Sequence, residues 1–267
     1  QLLGEPNVRV IPNGVDLKRF QPGPETPGER LLFVGSFRHF PNVQAFEFFV
    51  EQVWPEVSRR FPSATLTVVA GPDPLVYWKL HTGKPAPPAD PRIEILGLTR
   101  DVKPLLNKAN VVLTPTLVSA GTNLKVIEAM AMERAVVSTS CGAAGLGLEH
   151  GRDIWIADGA EAFAEGVCAL LADPEKRLEL ARNARRLAEQ KYGWQVIGDT
   201  YRELVRELLP PRWLIRPATQ EDLGAIARIQ DASPSASHWE PERYLGYDAR
   251  VAVAEGKVAA FIVMRRT

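Results

Sequence analysis

The chain has 267 residues, which is enough for one or two domains of ordinary size. Lys plus Arg and Asp plus Glu each number 32, so the formal net charge is zero and a strongly basic nucleic-acid-binding surface is not expected. No apolar run reaches the roughly 18 residues of a transmembrane segment, and no signal-peptide pattern is visible. Two cysteines, Cys141 and Cys168, are too few for a disulfide framework, so we expect a reducing, cytoplasmic location.

Short apolar runs, many of them rich in β-branched residues, recur through the first 208 residues. Most lack polar alternation, which is typical of parallel strands that are buried on both faces. The predicted strands are residues 8–11, 31–34, 65–70, 93–96, 111–114, 135–139 and 154–156. Because helical patterns separate them, the sequence predicts an α/β fold with a doubly wound parallel sheet over about residues 7–208.

Three helices have recognisable starting points. Asn42 precedes apolar residues at helical spacing and is the predicted N-cap of the first. A second helix follows Asp173-Pro174, and a third covers residues 194–208. The Pro- and Gly-rich stretches 22–28 and 83–91 are predicted connecting loops.

The predicted domain boundary is Pro210-Pro211, because neither proline can continue a helix interior. Beyond it the sequence predicts a strand, a short helix and a β-hairpin that turns at Glu255-Gly256-Lys257. We therefore divide the chain into residues 1–209 and residues 212–267. The second part is small for an independent core.

The first motif that could bind a ligand is the run 31–37, a buried strand that ends in Gly35 and Ser36. In a doubly wound sheet, ligands lie beyond the carboxyl ends of the strands. A glycine there would let a phosphate approach the backbone. A plain turn between strand and loop explains the same residues.

The second motif is the run 121–131. Gly121, Thr122 and Asn123 would begin a helix, whose free N–H groups and dipole favour an anion. Lys125 adds a point charge for a phosphate, and Glu128, about one turn later, could accept hydrogen bonds from two ribose hydroxyls. A solvated Lys125–Glu128 ion pair is the alternative interpretation.

The third motif is the small-residue loop 138–145, which leaves room for a ligand at the end of a strand. It does not match a dinucleotide-binding fingerprint. Cys141 is interpreted as a structural thiol, because no histidine is adjacent to it in sequence. The four histidines show no metal-ligand spacing, so no metal site is predicted.

These motifs together resemble a known family. The residues that carry the resemblance are 10–16 with Phe20, Gly35-Ser36 with Pro41-Asn42, Gly97 with Asp101-Val102, 121–131, 136–139 with Gly142, and Asp158. Residues 7–208 resemble the C-terminal lobe of a GT-B-fold glycosyltransferase of family 4. The resemblance implies a lobe that binds a nucleotide-sugar donor as substrate, with retention of anomeric configuration and without a metal or other cofactor.

Carried over by position, the resemblance implies donor-binding roles for eight residues: Gly35, Ser36, Arg38, Gly121, Thr122, Asn123, Lys125 and Glu128. Glu128 matches the second of two family glutamates, and Ala120 stands where the first would be. Ser36 takes the position of a family arginine and Asn42 lies near that of a family lysine, so Lys125 or Arg38 would supply the missing charge. No catalytic base is assigned.

Residues 212–267 are similar to the opening third of a GNAT-superfamily acetyltransferase. The similarity rests on residues 214–219, 221–223, His238-Trp239 and 251–264. The loop that binds acetyl-CoA in that family would follow the last strand, so no acetyl-CoA site is expected in this chain.

Two functions remain open on the sequence. The first is the donor lobe of a retaining glycosyltransferase, expected to be inactive without an acceptor-binding N-terminal lobe before Gln1. The second is a non-catalytic nucleotide-binding or interaction module, which Ala120 favours. A sugar-nucleotide epimerase is disfavoured by the family motifs. The nucleotide base, the sugar, the acceptor and the oligomeric state are not predicted.

Overall fold

The structure is a computed structural model, and it describes residues 10–118, 121–208, 213–233, 239–254 and 256–264. The chain divides into two compact units, one ending at Gly198 and the other beginning at Asp199. The predicted boundary at Pro210-Pro211 lies outside the described residues. The division at 209 and 212 therefore stays a prediction.

The first unit contains a parallel sheet of six described strands. They are β1 (Arg30–Val34), β2 (Thr65–Val69), β3 (Ile93–Leu96), β4 (Val111–Thr114), β5 (Ala135–Ser138) and β6 (Trp155–Ile156). Their spatial order is β3-β2-β1-β4-β5-β6. The chain winds outward from β1 through β3 and then returns to the other side of β1 with β4. The predicted doubly wound α/β sheet is confirmed, with its switch point between β1 and β4.

Helices flank this sheet on both faces. They are α1 (Phe40–Phe48), α2 (Trp54–Arg60), α3 (Pro74–Thr82), α4 (Lys103–Lys108), α5 (Leu124–Ala131), α6 (Ser140–Ala143), α7 (Ala160–Ala172) and α8 (Pro174–Lys191). The next helix in the chain, α9 (Trp194–Leu208), begins in the first unit and ends in the second. One apolar core includes Phe33 and Trp78, and the other includes Leu32 and Met130. The adjacent β1 residues Leu32 and Phe33 thus pack into different cores, because successive side chains of a strand point to opposite faces of the sheet.

Two predictions about local structure are wrong. Within the predicted strand 8–11, residues 10 and 11 are irregular and Val10 is exposed, while residues 8 and 9 lie outside the described part. Asn42 is not an N-cap, because α1 already begins at Phe40 with His39 as its cap. Pro41 in the first turn explains the earlier start, since its fixed φ suits that position.

The second unit contains an antiparallel sheet in the order β7-β8-β9 and the helix α10 (Leu223–Asp231). The strands are β7 (Trp213–Pro217), β8 (Asp248–Ala254) and β9 (Lys257–Met264). Its small core consists of Ile226, Tyr244, Ala249 and Val251. The predicted strand–helix–hairpin order agrees with these elements, and Gly256, with a φ of +78°, lies between β8 and β9.

Candidate functional site

A hydrogen-bonded chain of three residues crosses the switch point of the sheet. Lys125 extends from the first turn of α5, and its Nζ donates to Asn42 Oδ1 at 3.0 Å. The Asn42 Nδ2 in turn donates to the carbonyl of Ser36 at 2.9 Å, just beyond the end of β1. The loop after β1 and the helix after β4 are therefore joined where a doubly wound sheet binds its ligands.

The Lys125 ammonium is a cation in a largely apolar setting. Its Nζ lies 5.5 Å from the centre of the Phe33 ring, which supplies a cation–π contact. Burial lowers the pKa of Lys125 to about 8. Among the described residues no carboxylate lies within 4.0 Å of this ammonium. A half-buried cation without a protein counter-ion is a suitable place for an anionic ligand.

Gly35 has a packing role that its sequence did not reveal. A Cβ at this position would lie 2.8 Å from both Cγ and Oδ1 of Asn42. The Asn42 carboxamide thus fills the space that a side chain at position 35 would need. The end of β1 is therefore covered by Asn42 and is not left open at Gly35.

Ser36 and Arg38 lie in the same loop but face α3 and its preceding turn. The Ser36 hydroxyl contacts Gly71, where an added Cβ would be 2.6 Å away, and it accepts a 3.4 Å hydrogen bond from the Arg38 amide. The Arg38 guanidinium lies 6.0 Å from the centre of the Tyr77 ring. Only the Ser36 carbonyl takes part in the Lys125–Asn42 chain.

The start of α5 is exposed and shaped by Gly121, whose φ is +111°. Thr122 is also exposed, and its carbonyl accepts a hydrogen bond from Leu124. The Asn123 side chain does not cap the helix; its Nδ2 donates instead to the Gly142 carbonyl at 2.9 Å. This bond fixes the first turn of α5 against α6, which follows β5.

Glu128 lies one turn after Lys125 and is half-buried. Burial raises the pKa of the Glu128 carboxyl, while the positive charge of Arg19 opposes that rise. Within the described residues, Glu128 and Lys125 do not form a salt bridge. The alternative interpretation as a Lys125–Glu128 pair is therefore wrong, and the two opposite charges stand separately along one helix.

The loops after β5 and β6 complete this edge of the sheet. The Asp158 carboxylate accepts hydrogen bonds from the Ser140 hydroxyl at 2.5 Å and from the Ser140 amide at 2.9 Å. These bonds lower the pKa of Asp158. Gly142 is tightly enclosed, since an added Cβ would lie 2.8 Å from the Thr114 carbonyl oxygen. Cys141 is half-buried in the same loop.

No group of three or more His, Cys, Asp or Glu side chains in the described part of the chain could hold a metal ion. His39 occupies the N-cap position of α1 without a side-chain capping hydrogen bond, and His150 Nδ1 accepts a hydrogen bond from the Ile156 amide. His238 and Ala120 lie outside the described residues. Across the described helices, none combines the length and apolar character needed to cross a bilayer.

Sequence reasoning missed three neighbours of the site. Asn42 was interpreted as a helix cap, although its lack of charge near an expected lysine position was a usable signal. Phe33 was visible only as a strand residue, and its contact with Lys125 depends on the packing of α5 against the sheet. No sequence pattern around Arg19 indicated that its positive charge would lower the pKa of Glu128, which lies far along the chain.

The six-stranded parallel sheet, with its switch point between β1 and β4, defines a Rossmann-like α/β lobe. The family model described as glycosyl transferases group 1 matches residues 28–173 of the 267 residues, more than half of the chain. The chain therefore belongs to the glycosyl transferases group 1 family.

Individual relatives are more distant. An uncharacterized 44.6 kDa protein in the cps region of Klebsiella pneumoniae is 26% identical over 164 residues, which cover 61% of this chain and 42% of that protein. A glycosyltransferase from Rickettsia africae aligns with a TM-score of 0.61 at 15% identity, over 76% of this chain and 57% of that chain. Anabaena HepE in complex with UDP-glucose aligns with a TM-score of 0.60 at 18% identity, over 74% and 57%. The chain thus spans about half the length of these relatives.

Proposed function

We propose that residues 1–209 form the donor-binding lobe of a retaining glycosyltransferase, which takes a nucleotide-sugar as its substrate. The observation that carries the proposal is the half-buried Lys125 ammonium, which has no carboxylate within 4.0 Å among the described residues and lies at the switch point of the sheet. A donor pyrophosphate supplies the negative charge that this position lacks. The membership in the glycosyl transferases group 1 family supports the same function.

Each predicted site residue has a role in this proposal. Lys125 offsets the charge of the pyrophosphate as the leaving group departs. The backbone of Gly121, Thr122 and Asn123 faces the phosphates or the sugar, and Glu128 accepts hydrogen bonds from the ribose hydroxyls. Gly35, Ser36 and Arg38 border the same site from the loop after β1. No residue is assigned as a catalytic base.

The donor is proposed to be a nucleoside diphosphate sugar, and UDP is the first nucleotide to test. The reason is one of similarity, since HepE was solved in complex with UDP-glucose. The acceptor is proposed to bind to a separate N-terminal lobe. In support, Leu98, Leu117 and Val118 are exposed apolar side chains in the loops after β3 and β4, and Leu124 is exposed at the start of α5. Where exposed apolar side chains are contiguous, they mark a protein–protein contact.

Calorimetric titration of the chain with UDP, GDP and ADP tests the donor site. We expect saturable binding of one nucleotide, and we expect Glu128→Ala and Lys125→Met to weaken it by about ten-fold or more. The matched controls are Glu179→Ala on α8 and Lys79→Met on α3, because both side chains are exposed and remote from the switch point. Equal weakening by the controls, or no binding of any nucleotide, would contradict a donor site in this lobe.

A transfer assay with this chain joined to the proposed acceptor-binding lobe separates the two functions that the sequence left open. Turnover of a nucleotide-sugar supports the glycosyltransferase. Nucleotide binding without turnover supports the non-catalytic module. We expect the present chain alone to bind a donor without transferring the sugar.

Residues 212–267 are proposed to be an acetyltransferase-like segment. The order of β7, α10, β8 and β9 supports this proposal. A cytoplasmic location is likewise proposed, supported by the two free cysteines Cys141 and Cys168.

A further inference from the structure

We propose that Asn42 is a positioning residue that fixes the Lys125 ammonium at the switch point and leaves its charge available to the donor phosphate. This inference rests on the proposed donor-binding function and names a residue through which that site acts. It assigns no direct contact between Asn42 and the substrate. Its basis is the geometry of one carboxamide between two chain segments that are 83 positions apart.

The two ends of the Asn42 carboxamide are matched to different partners. The oxygen accepts from the Lys125 ammonium, and the Nδ2 donates to the Ser36 carbonyl. An ammonium group has only donors and a carbonyl has only an acceptor, so the reversed amide would satisfy neither. A carboxylate at position 42 could not donate to Ser36, and a basic side chain would repel Lys125.

The carboxamide is also held in place from behind. The backbone N–H of Asn42 donates to the His39 carbonyl at 3.0 Å, which fixes the backbone of this residue in the first turn of α1. Its side chain lies against Gly35, where even one added carbon would be 2.8 Å away. A side chain that is already ordered loses little further conformational entropy when a ligand binds. Asn42 therefore presents a fixed acceptor to Lys125.

Because the Asn42 amide oxygen is neutral, it does not cancel the positive charge of Lys125. A carboxylate would pair with the ammonium and compete with the phosphate for its charge. The amide oxygen stabilises the protonated lysine and keeps one full positive charge uncompensated. The other charged groups near this helix turn do not replace Asn42, because Glu128 is not paired with Lys125 and the Arg38 guanidinium contacts Tyr77.

A first experiment needs no ligand. The chain is labelled with 13C at the lysine ε-carbons, and their chemical shifts are followed by NMR from pH 6 to 11, with Lys125→Met assigning the Lys125 signal. We expect Asn42→Ala to lower the titration midpoint of Lys125, Asn42→Asp to raise it, and Asn183→Ala to leave it unchanged. Asn183, on α8, is a suitable control because its side-chain Nδ2 also donates to a backbone carbonyl, that of Arg152. An unchanged midpoint in both Asn42 variants, with folding verified by circular dichroism, would overturn the proposal.

A second experiment measures the dissociation constant for UDP in a double-mutant cycle. We expect Asn42→Ala to weaken binding by about ten-fold when Lys125 is present and by less than two-fold in the Lys125→Met background. Equal losses in both backgrounds would show that Asn42 acts independently of Lys125 and would overturn this inference alone. If Lys125→Met itself leaves UDP binding unchanged, the proposed donor site fails, whatever the NMR titration shows.

Discussion

Glu25 and Arg177, which lie 152 positions apart, form a buried ion pair with Arg177 Nε 2.8 Å from Glu25 Oε1. The side chains are only 10% and 5% exposed. Asn110 Nδ2 also donates to the same carboxylate oxygen at 2.7 Å. The pair joins the proline-rich connection before β1 to helix α8, so one side of the sheet depends on a loop that has little regular structure of its own.

We expect Glu25→Ala to lower the free energy of unfolding by about 3–5 kcal/mol, because it leaves the Arg177 guanidinium buried and unpaired. Urea denaturation followed by circular dichroism measures this change. Glu161→Ala, on the exposed first turn of α7, serves as the control and is expected to change stability by less than about 0.5 kcal/mol. A Glu25 variant as stable as that control would refute the assigned role of the pair.

Gly142→Ala is expected to destabilise the first unit by about 1–3 kcal/mol, since the added Cβ would press against the Thr114 carbonyl and backbone cannot move aside cheaply. The comparison is Gly198→Ala in α9, where no described atom lies within 4 Å of the added Cβ. That helical substitution should be neutral or stabilising by up to about 1 kcal/mol. Thermal denaturation of the two variants side by side is decisive, and the prediction fails if they behave alike.

The lowered pKa of Lys125 makes the free energy of unfolding depend on pH. Its pKa is about 8 in the folded chain against 10.5 for an ordinary lysine. Between these values the unfolded chain binds the proton and the folded chain does not, so this residue makes the free energy of unfolding rise with pH across that window. We expect a rise on the order of 1–3 kcal/mol that Lys125→Met removes and Lys79→Met retains. Urea denaturation at pH 7.5, 9 and 10 measures it; parallel curves for all three proteins would contradict it.

In the second unit the free energy of unfolding should also rise with pH, but in the acid range. Arg216 donates to both oxygens of the buried Asp222 carboxylate, and Thr219 adds two further hydrogen bonds. These contacts hold the pKa of Asp222 well below its usual range. The stabilisation is complete above about pH 4 and is lost as the pH falls through the lowered pKa.

Asp222→Asn is therefore expected to destabilise the second unit at pH 7 by about 1–3 kcal/mol. Hydrogen exchange with mass spectrometry, read on peptides from β7 and α10, measures this loss locally. Asp231→Asn, at the exposed end of α10, is the matched control. Equal protection in the two variants would show that the Asp222 contacts contribute nothing to folding.

The parallel sheet could be predicted because its strands are buried on both faces. The run at 111–114, Val-Val-Leu-Thr, and the run at 135–138, Ala-Val-Val-Ser, are fully buried, so their composition alone indicates a central strand. The segment 10–11 was wrongly predicted as a strand because its composition is that of a strand, although the chain there is irregular. Val10 and Ile11 have strand-forming side chains, but in the described part of the chain they pair with no strand.

The sequence could indicate candidate site residues, but it could not predict which of their side chains are in contact. Lys125 was identified from its place after a glycine-rich helix start, a pattern that is local. Its contact with Asn42 depends on the strand order that puts β4 beside β1, and no local pattern encodes that order. The same holds for Arg19, whose charge reaches Glu128 only through the packing of the segment before β1.

The close contact between Gly35 and Asn42 restricts the order in which these two positions can change. Any side chain at position 35 displaces the carboxamide while Asn42 is present, so Gly35→Ala as a first step damages both packing and the hold on Lys125. If Asn42 is first replaced by alanine, the same second step meets the remaining Cβ of residue 42 at 3.1 Å instead of the carboxamide at 2.8 Å. The two orders of substitution are therefore not equivalent, because the change at position 35 is more obstructed while Asn42 is present.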